Sequence, residues 1–183
     1  MKSTSDVVDA VKKHITAGRF ERAVQMCDKV LTTSPYNVSV LALLAVAREH
    51  AGDIRGARKA ALRWVSTAPL DCHAHYRLAA IEQRLQNYPA ARERFELAAD
   101  LAAPGGDVAR AAGESLLALD SLQLQQVAAL REVDMAFRVG LRLAPHQALV
   151  ERGFDLDDDV VRRLARVEAH SAHKFSARPP RPC

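Results

Sequence analysis

The stretch AGRFERA at residues 17–23 recurs as AGDIRGA at residues 51–57 and as LQNYPAA at residues 85–91, each time 34 residues further along the chain. Each copy carries a large apolar residue and, three places later, an alanine. The aligned residues are Phe20, Ile54 and Tyr88, followed by Ala23, Ala57 and Ala91. A constant period of this length is typical of a solenoid in which similar pairs of helices stack on one another.

The residues around each copy predict two antiparallel helices joined by a tight turn. The first helix of each pair is expected to end at one of three aligned residues: Gly18, Gly52 and Gln86. Glycine suits this place because it tolerates the left-handed backbone that closes a helix. The second helices are predicted over residues 20–33, 54–67 and 88–101. Pro35 and Pro69 then open the connection to the next pair, because proline cannot continue a helix.

This pattern resembles the tetratricopeptide repeat family, with three recognisable repeats and a divergent fourth. In that family, small residues on both helices of a pair let the helices pack closely. The matching places hold Ala23, Ala57 and Ala91 on the second helices, and Val11, Ala45 and Ala79 on the first. The resemblance implies an all-α fold, a right-handed α-solenoid of antiparallel helix pairs with a C-terminal capping helix.

Four segments are predicted along the chain. Residues 4–104 hold the three repeats, and residues 105–145 hold a divergent fourth helix pair with its break near Ser121. Residues 146–173 are predicted to form the capping helix, since a terminal repeat needs a cover with one polar face. Its inward stripe is expected to be Val160, Leu164 and Val167. Residues 174–183 contain three basic residues, three prolines and no acid, which predicts a flexible, basic, Pro-rich tail.

Composition narrows the class of protein. The formal net charge is +4, but both signs alternate along most of the chain, so nucleic-acid binding is not favoured. Cys27, Cys72 and Cys183 are widely spaced, which argues against a disulfide framework and favours a reducing compartment. The N-terminus has no apolar leader, and no stretch reaches the roughly 18 apolar residues of a membrane span. A cytoplasmic protein without a membrane segment is expected.

Few side chains in the sequence have the spacing of a metal-binding or catalytic site. CHAH at residues 72–75 and HSAH at residues 170–173 lack the further ligands of a tetrahedral zinc site. The acidic run at residues 155–159 lacks the glycine and glutamate of a calcium loop. No Ser/His/Asp motif and no phosphate-binding loop occurs in the sequence. We therefore expect no catalytic residue, no metal, no cofactor and no enzyme activity.

The first helices of stacked repeats line a concave face, which is the surface expected to meet a partner. Nine residues are predicted to lie there: Val8, Lys12, Ala42, Val46, Glu49, His73, Tyr76, Arg77 and Ala80. Some family members grip a terminal carboxylate with a polar clamp, and the resemblance maps that clamp to Val8, Lys12, Leu43, His73 and Arg77. Only Lys12 and Arg77 carry charge among those places, so an apolar or extended peptide is expected instead, as in the similar bacterial secretion chaperones. The alternative is that the apolar positions pack against neighbouring helices of the same chain.

The leading hypothesis is a non-enzymatic adaptor, assembly factor or chaperone that binds a protein or an extended peptide in this groove. A structural subunit or self-associating scaffold, and hence a homo-oligomer, is the alternative. Nucleic-acid binding through the basic tail and through Arg58, Lys59 and Arg63 is the third and least favoured hypothesis.

Overall fold

A computed structural model describes the backbone of residues 4–176 and the side chains of residues 5–169. Ten α-helices and no strand occur within those residues. The chain divides into two compact units, one ending at Ser115 and the other beginning at Leu116. The predicted segment boundary after residue 104 therefore lies inside the first unit.

Three helix pairs make up most of the first unit. They are α1 (Thr4–Thr16) with α2 (Phe20–Thr33), α3 (Val38–His50) with α4 (Ile54–Thr67), and α5 (Cys72–Arg84) with α6 (Tyr88–Leu101). The helices of each pair pack against each other, and α2 packs on α3 and α4 on α5. The second helices begin at Phe20, Ile54 and Tyr88 and end where the sequence predicts.

The turns inside the pairs use the left-handed backbone that the sequence predicts for them. Gly18 has φ 71° and Gly52 has φ 83°, while Gln86 is held at φ 59°. Gln86 is the one non-glycine residue with positive φ in the described part of the chain. The Asn37 side chain accepts a hydrogen bond from the Val40 N–H at 3.1 Å and so caps the start of α3.

The core of the first unit is built from the small residues that the period brings into register. Six of them are fully buried: Val11, Ala23, Ala45, Ala57, Ala79 and Ala91. Since an alanine leaves little bulk between two backbones, the helices approach closely and larger neighbours close the remaining space. Phe95, which is 1% exposed, is the largest fully buried side chain and fills the third pair.

The chain then forms α7 (Asp107–Val133), α8 (Met135–Leu143), α9 (Pro145–Glu151) and α10 (Asp158–Ser176). The predicted helix break near Ser121 is wrong, because α7 continues through it. Residues 116–124 contain no glycine or proline, so nothing local stops the helix there. The break falls at Asp134, whose carboxylate accepts a hydrogen bond from the Phe137 N–H at 2.9 Å. This bond and the nearby Arg152 lower the pKa of the Asp134 carboxyl.

The segment predicted as one capping helix contains two helices, α9 and α10, separated by a turn at Gly153 with φ 78°. The predicted inward stripe of α10 is also displaced, since Val167 is 57% exposed and Glu168 is 1% exposed. Arg131 pairs with the Glu168 carboxylate at 2.9 Å and thereby compensates its burial. The role of α10 as a cap of the array stays a prediction.

The helix α10 extends past the predicted start of the tail, to Ser176. Residues 177–183, which include Cys183, lie outside the described residues.

Candidate protein-binding groove

Five of the nine predicted groove residues lie around one depression of about 330 Å³. They are Ala42, Val46, His73, Tyr76 and Arg77, carried by α3 and α5. The first helices of the second and third pairs thus present these side chains to a common space, as the register of the repeats predicts. The depression is large enough to hold one apolar side chain of a ligand together with part of its backbone.

Tyr76 is one of the aromatic side chains that line this depression, and its ring contacts two neighbouring side chains. Its hydroxyl lies 3.3 Å from the Ser115 hydroxyl, so the two share a hydrogen bond. Its ring meets the ring of Phe95 edge to face, with centroids 5.5 Å apart. Because both neighbours belong to the first unit's helices, a ligand would meet a ring whose position is already fixed.

The basic residue of the depression is tied to an acidic one. Arg77 donates to the Glu49 carboxylate at 3.1 Å, and Arg84 donates to the other oxygen of the same carboxylate at 3.1 Å. Two guanidinium groups therefore share one carboxylate, which leaves a single net positive charge at this edge of the groove. The Glu49 side chain is 12% exposed, whereas the side chains of Arg77 and Arg84 are 35% and 50% exposed, so the carboxylate is shielded and the guanidinium groups still face solvent.

Three further predicted positions, Val8, Lys12 and Ala80, do not line the depression. Val8 is half-buried against the core of the first unit, so the alternative of packing within the chain fits this residue. Ala42 packs against the same core while also facing the depression. Lys12 is exposed and Ala80 is half-buried, and neither lines the depression.

Two lining residues were missed by reasoning from the first helices alone. Trp64 comes from α4, and its indole N–H donates to the Asp71 carboxylate at 2.9 Å. Asp71 also accepts from the His73 N–H at 3.0 Å and so begins α5. The single tryptophan and an aspartate placed just before a predicted helix were the available signals, but their meeting required the fold. Together with Leu43, they complete the lining.

The cysteine and histidine motif at the start of α5 is part of the fold. His75 is 2% exposed, and its Nε2 lies 2.9 Å from the Pro69 carbonyl oxygen.

Burial raises the pKa of the Cys27 thiol to about 12, which keeps that thiol protonated and unreactive. Nowhere in the described part of the chain do three histidine, cysteine or acidic side chains come together around a possible metal position.

The basic residues considered for nucleic acid are partly engaged within the chain. Arg58 pairs with the buried Glu82 at 2.6 Å, and Arg63 donates to the Pro35 carbonyl at 3.0 Å. Lys59 is exposed. Of these three cations only Arg58 is neutralised by a carboxylate, because the Pro35 carbonyl carries no net charge.

Comparison with known proteins identifies the repeats. The family described as Tetratricopeptide repeat matches residues 14–81. The first TPR of Spaghetti (RPAP3), solved with the HSP90 peptide SRMEEVD, is similar with a TM-score of 0.58 and 19% identity, over 63% of this chain and 89% of that one. PcrH, solved in complex with the chaperone binding region of PopD, is similar with a TM-score of 0.60 and 17% identity, over 65% and 92%.

The Sgt2 TPR domain from Aspergillus fumigatus is similar over 98% of this chain and 86% of its own, with a TM-score of 0.51 and 13% identity. The fold class is therefore confirmed as an all-α solenoid of antiparallel helix pairs. Residues 14–81 are thus similar to the tetratricopeptide repeat family. No curated protein matches the chain. Among the described residues, no helix is both long and apolar enough to cross a bilayer.

Proposed function

We propose that this chain is a non-enzymatic protein–protein interaction module that binds an extended segment of a partner protein in the groove between α3 and α5. An adaptor, an assembly factor or a chaperone would each act in this way. The observation that carries the proposal is the meeting of Ala42, Val46, His73, Tyr76 and Arg77 around one depression.

The chemistry of the depression favours an apolar anchor in the ligand. Its walls are apolar at Ala42, Leu43 and Val46 and aromatic at Trp64 and Tyr76. Burying one leucine- or phenylalanine-sized side chain there would contribute about 1.5–3 kcal/mol. Because the helices are already packed, the partner segment bears most of the ordering entropy, and the groove itself loses little on binding.

The polar edge of the depression favours a ligand backbone or an acidic side chain next to the anchor. The Glu49 carboxylate is shared by Arg77 and Arg84, so Arg77 retains donors that a peptide carbonyl can use. Two of the similar solved structures hold a peptide or a region of a partner protein, which supports binding of this kind. The widely spaced free thiols Cys27 and Cys72 support the proposed cytoplasmic location.

The double variant Tyr76→Ala/Arg77→Ala tests the groove. Partner capture from the native host, quantified by mass spectrometry, is expected to fall at least about tenfold, since an aromatic wall and a charged donor are lost together. The matched control Tyr36→Ala/Arg55→Ala removes the same two residue types from exposed positions outside the depression. Equal capture by the wild type and the groove variant would contradict the proposal.

A structural or self-associating subunit is the second candidate, and one observation favours it. The outer side of α8 carries Met135, Val139 and Leu143, which are 66%, 45% and 81% exposed. An apolar stripe of this kind on a helix is typical of a surface that is covered in an assembly. Light scattering of the wild type and of Val139→Lys tests it: a dimer that dissociates in the variant supports self-association, and a monomeric wild type removes it.

A further inference from the structure

A second and larger depression lies at the outer side of the first helix pair, away from the groove residues. It measures about 710 Å³, and its floor is formed by Val7 of α1 and by Met26 and Val30 of α2. All three floor residues are half-buried, so part of their apolar surface still faces solvent. The rim carries Arg22, Gln25 and Lys29.

The equivalent surface of the second helix pair, 34 residues further along the chain, is covered by a neighbouring pair. At the 34-residue offset, Val7 corresponds to Leu41 and Met26 to Ala60, which are 0% and 2% exposed. There, the preceding pair covers the surface, because α2 packs on α3 and Arg63 of α4 reaches the Pro35 carbonyl after α2. No described helix covers the corresponding surface of the first pair. The shape of the depression is therefore that of a helix-docking site.

The rim determines the charge of the helix that fits. Arg22 and Lys29 are exposed and lie seven residues apart on α2, which places them about 10 Å apart along the helix axis. None of the described residues that line the depression is acidic. An acidic partner would therefore place a carboxylate near each cation, at the same spacing of seven residues along its own helix.

A second copy of the chain fits this surface poorly. Antiparallel pairing of two α2 helices around Gln25 and Met26 would place Arg22 of one copy against Lys29 of the other. Like charges facing each other at an interface disfavour association. Nucleic acid would match the two cations, but it would leave Val7 and Met26 without an apolar counterpart.

We propose that the outer face of the first helix pair docks an amphipathic, acidic helix of a partner protein. The apolar stripe of that helix covers Val7, Met26 and Val30, while acidic residues seven positions apart pair with Arg22 and Lys29. This surface is separate from the groove between α3 and α5. One chain would thus hold an extended segment and a helix at the same time.

The probe is a fluorescein-labelled, end-capped synthetic helix of about 18 residues, with leucines at i, i+4 and i+7 and glutamates flanking them seven positions apart. Fluorescence anisotropy with the full chain is expected to show saturable binding. The same peptide with lysine in place of glutamate should bind at least about tenfold more weakly, since both ion pairs become repulsive. The variant Arg22→Glu/Lys29→Glu should lose at least about tenfold in affinity for the acidic peptide.

Three controls keep the result specific. Arg55→Glu/Lys59→Glu makes the same charge change at exposed positions of α4 and should retain the wild-type affinity. Tyr76→Ala/Arg77→Ala should also retain it, so a failure of the groove proposal leaves this one intact. Met26→Asp, checked for helicity by circular dichroism, should lose affinity through the apolar floor.

Four results would overturn the proposal. The first is no binding of the acidic peptide, and the second is an equal loss of affinity in both charge-reversal variants. The third is tighter binding of a DNA or RNA duplex, lost in Arg22→Glu/Lys29→Glu. The fourth is a dimer in light scattering that the same variant dissociates. The last two would assign the face to nucleic acid and to a second copy, respectively.

Discussion

In the first unit, fully buried alanines such as Ala23, Ala57 and Ala91 make the contacts between helices. In the second unit, a glutamine, Gln123, and a glutamate, Glu168, are buried in the helices. Gln123 is 0% exposed, and its amide bonds both the carbonyl oxygen of Asp155, at 2.8 Å, and the N–H of the same residue, at 2.6 Å. The repeated packing positions of the first unit are thus filled by small apolar residues, although His75 and Glu82 are also buried there, whereas the second unit is held partly by buried polar bonds.

The difference concerns how far apart in sequence the partners lie. A buried alanine needs only a neighbouring helix at a short distance. The same alanine contact can therefore recur in all three helix pairs. Gln123 needs a specific backbone group 32 residues away, and Glu168 needs Arg131 at the far end of α7. A buried polar group without its partner costs about 1–3 kcal/mol, so such contacts must be made individually.

The largest expected effect tests the apolar packing of the first unit. Phe95→Ala removes the largest fully buried side chain and should lower the free energy of unfolding by about 3–5 kcal/mol, because the small neighbours cannot close the cavity. Urea denaturation followed by circular dichroism measures this loss. Phe20→Ala, at a half-buried ring that stacks on His50, is the matched control and should cost less. An equal loss in both would mean that burial does not determine the contribution of these rings.

An intermediate effect tests the polar bonds of the second unit. Gln123→Leu keeps the volume but removes the hydrogen bonds that Gln123 makes with the Asp155 N–H and carbonyl oxygen, so the free energy of unfolding should fall by about 2–3 kcal/mol. Hydrogen exchange at the Asp155 amide should rise in parallel. The control Gln125→Leu changes the same residue type at an exposed position of α7 and should stay within about 0.5 kcal/mol of wild type. A neutral Gln123→Leu would remove the contrast between the units.

The smallest expected effect returns to the repeated turn. Gln86 is held at φ 59°, so Gln86→Gly should raise the free energy of unfolding by about 0.5–1 kcal/mol through relief of backbone strain. Gly52→Ala should lower it by about 1 kcal/mol, since a Cβ there meets no atom within 4 Å and the backbone alone is strained. Thermal unfolding of both variants measures the two changes in the free energy of unfolding. Shifts in the same direction would contradict the equivalence of the three turns.

Much of the first unit was predictable because its rules are local. The helices from Phe20 to Thr33 and from Ile54 to Thr67 follow directly from the glycines, prolines and alanines of the period. The register also placed Val46 and Tyr76 on one face, and both line the same depression; that this depression binds a partner stays a prediction. Trp64 and Asp71 were missed because they reach the same depression from outside the first helices.

The sequence by itself determined the period, the turn residues, the helix limits of the second helices in the three pairs and the resemblance to the repeat family. These depend on backbone preferences and on side-chain spacing within one or two helical turns, which any stretch of chain expresses without its neighbours. Only the tertiary structure decided that Glu168 and not Val167 turns inward, and that Arg77 shares Glu49 with Arg84. Those outcomes depend on which distant polar groups meet, because a buried charge or amide is stable only where its partner is present.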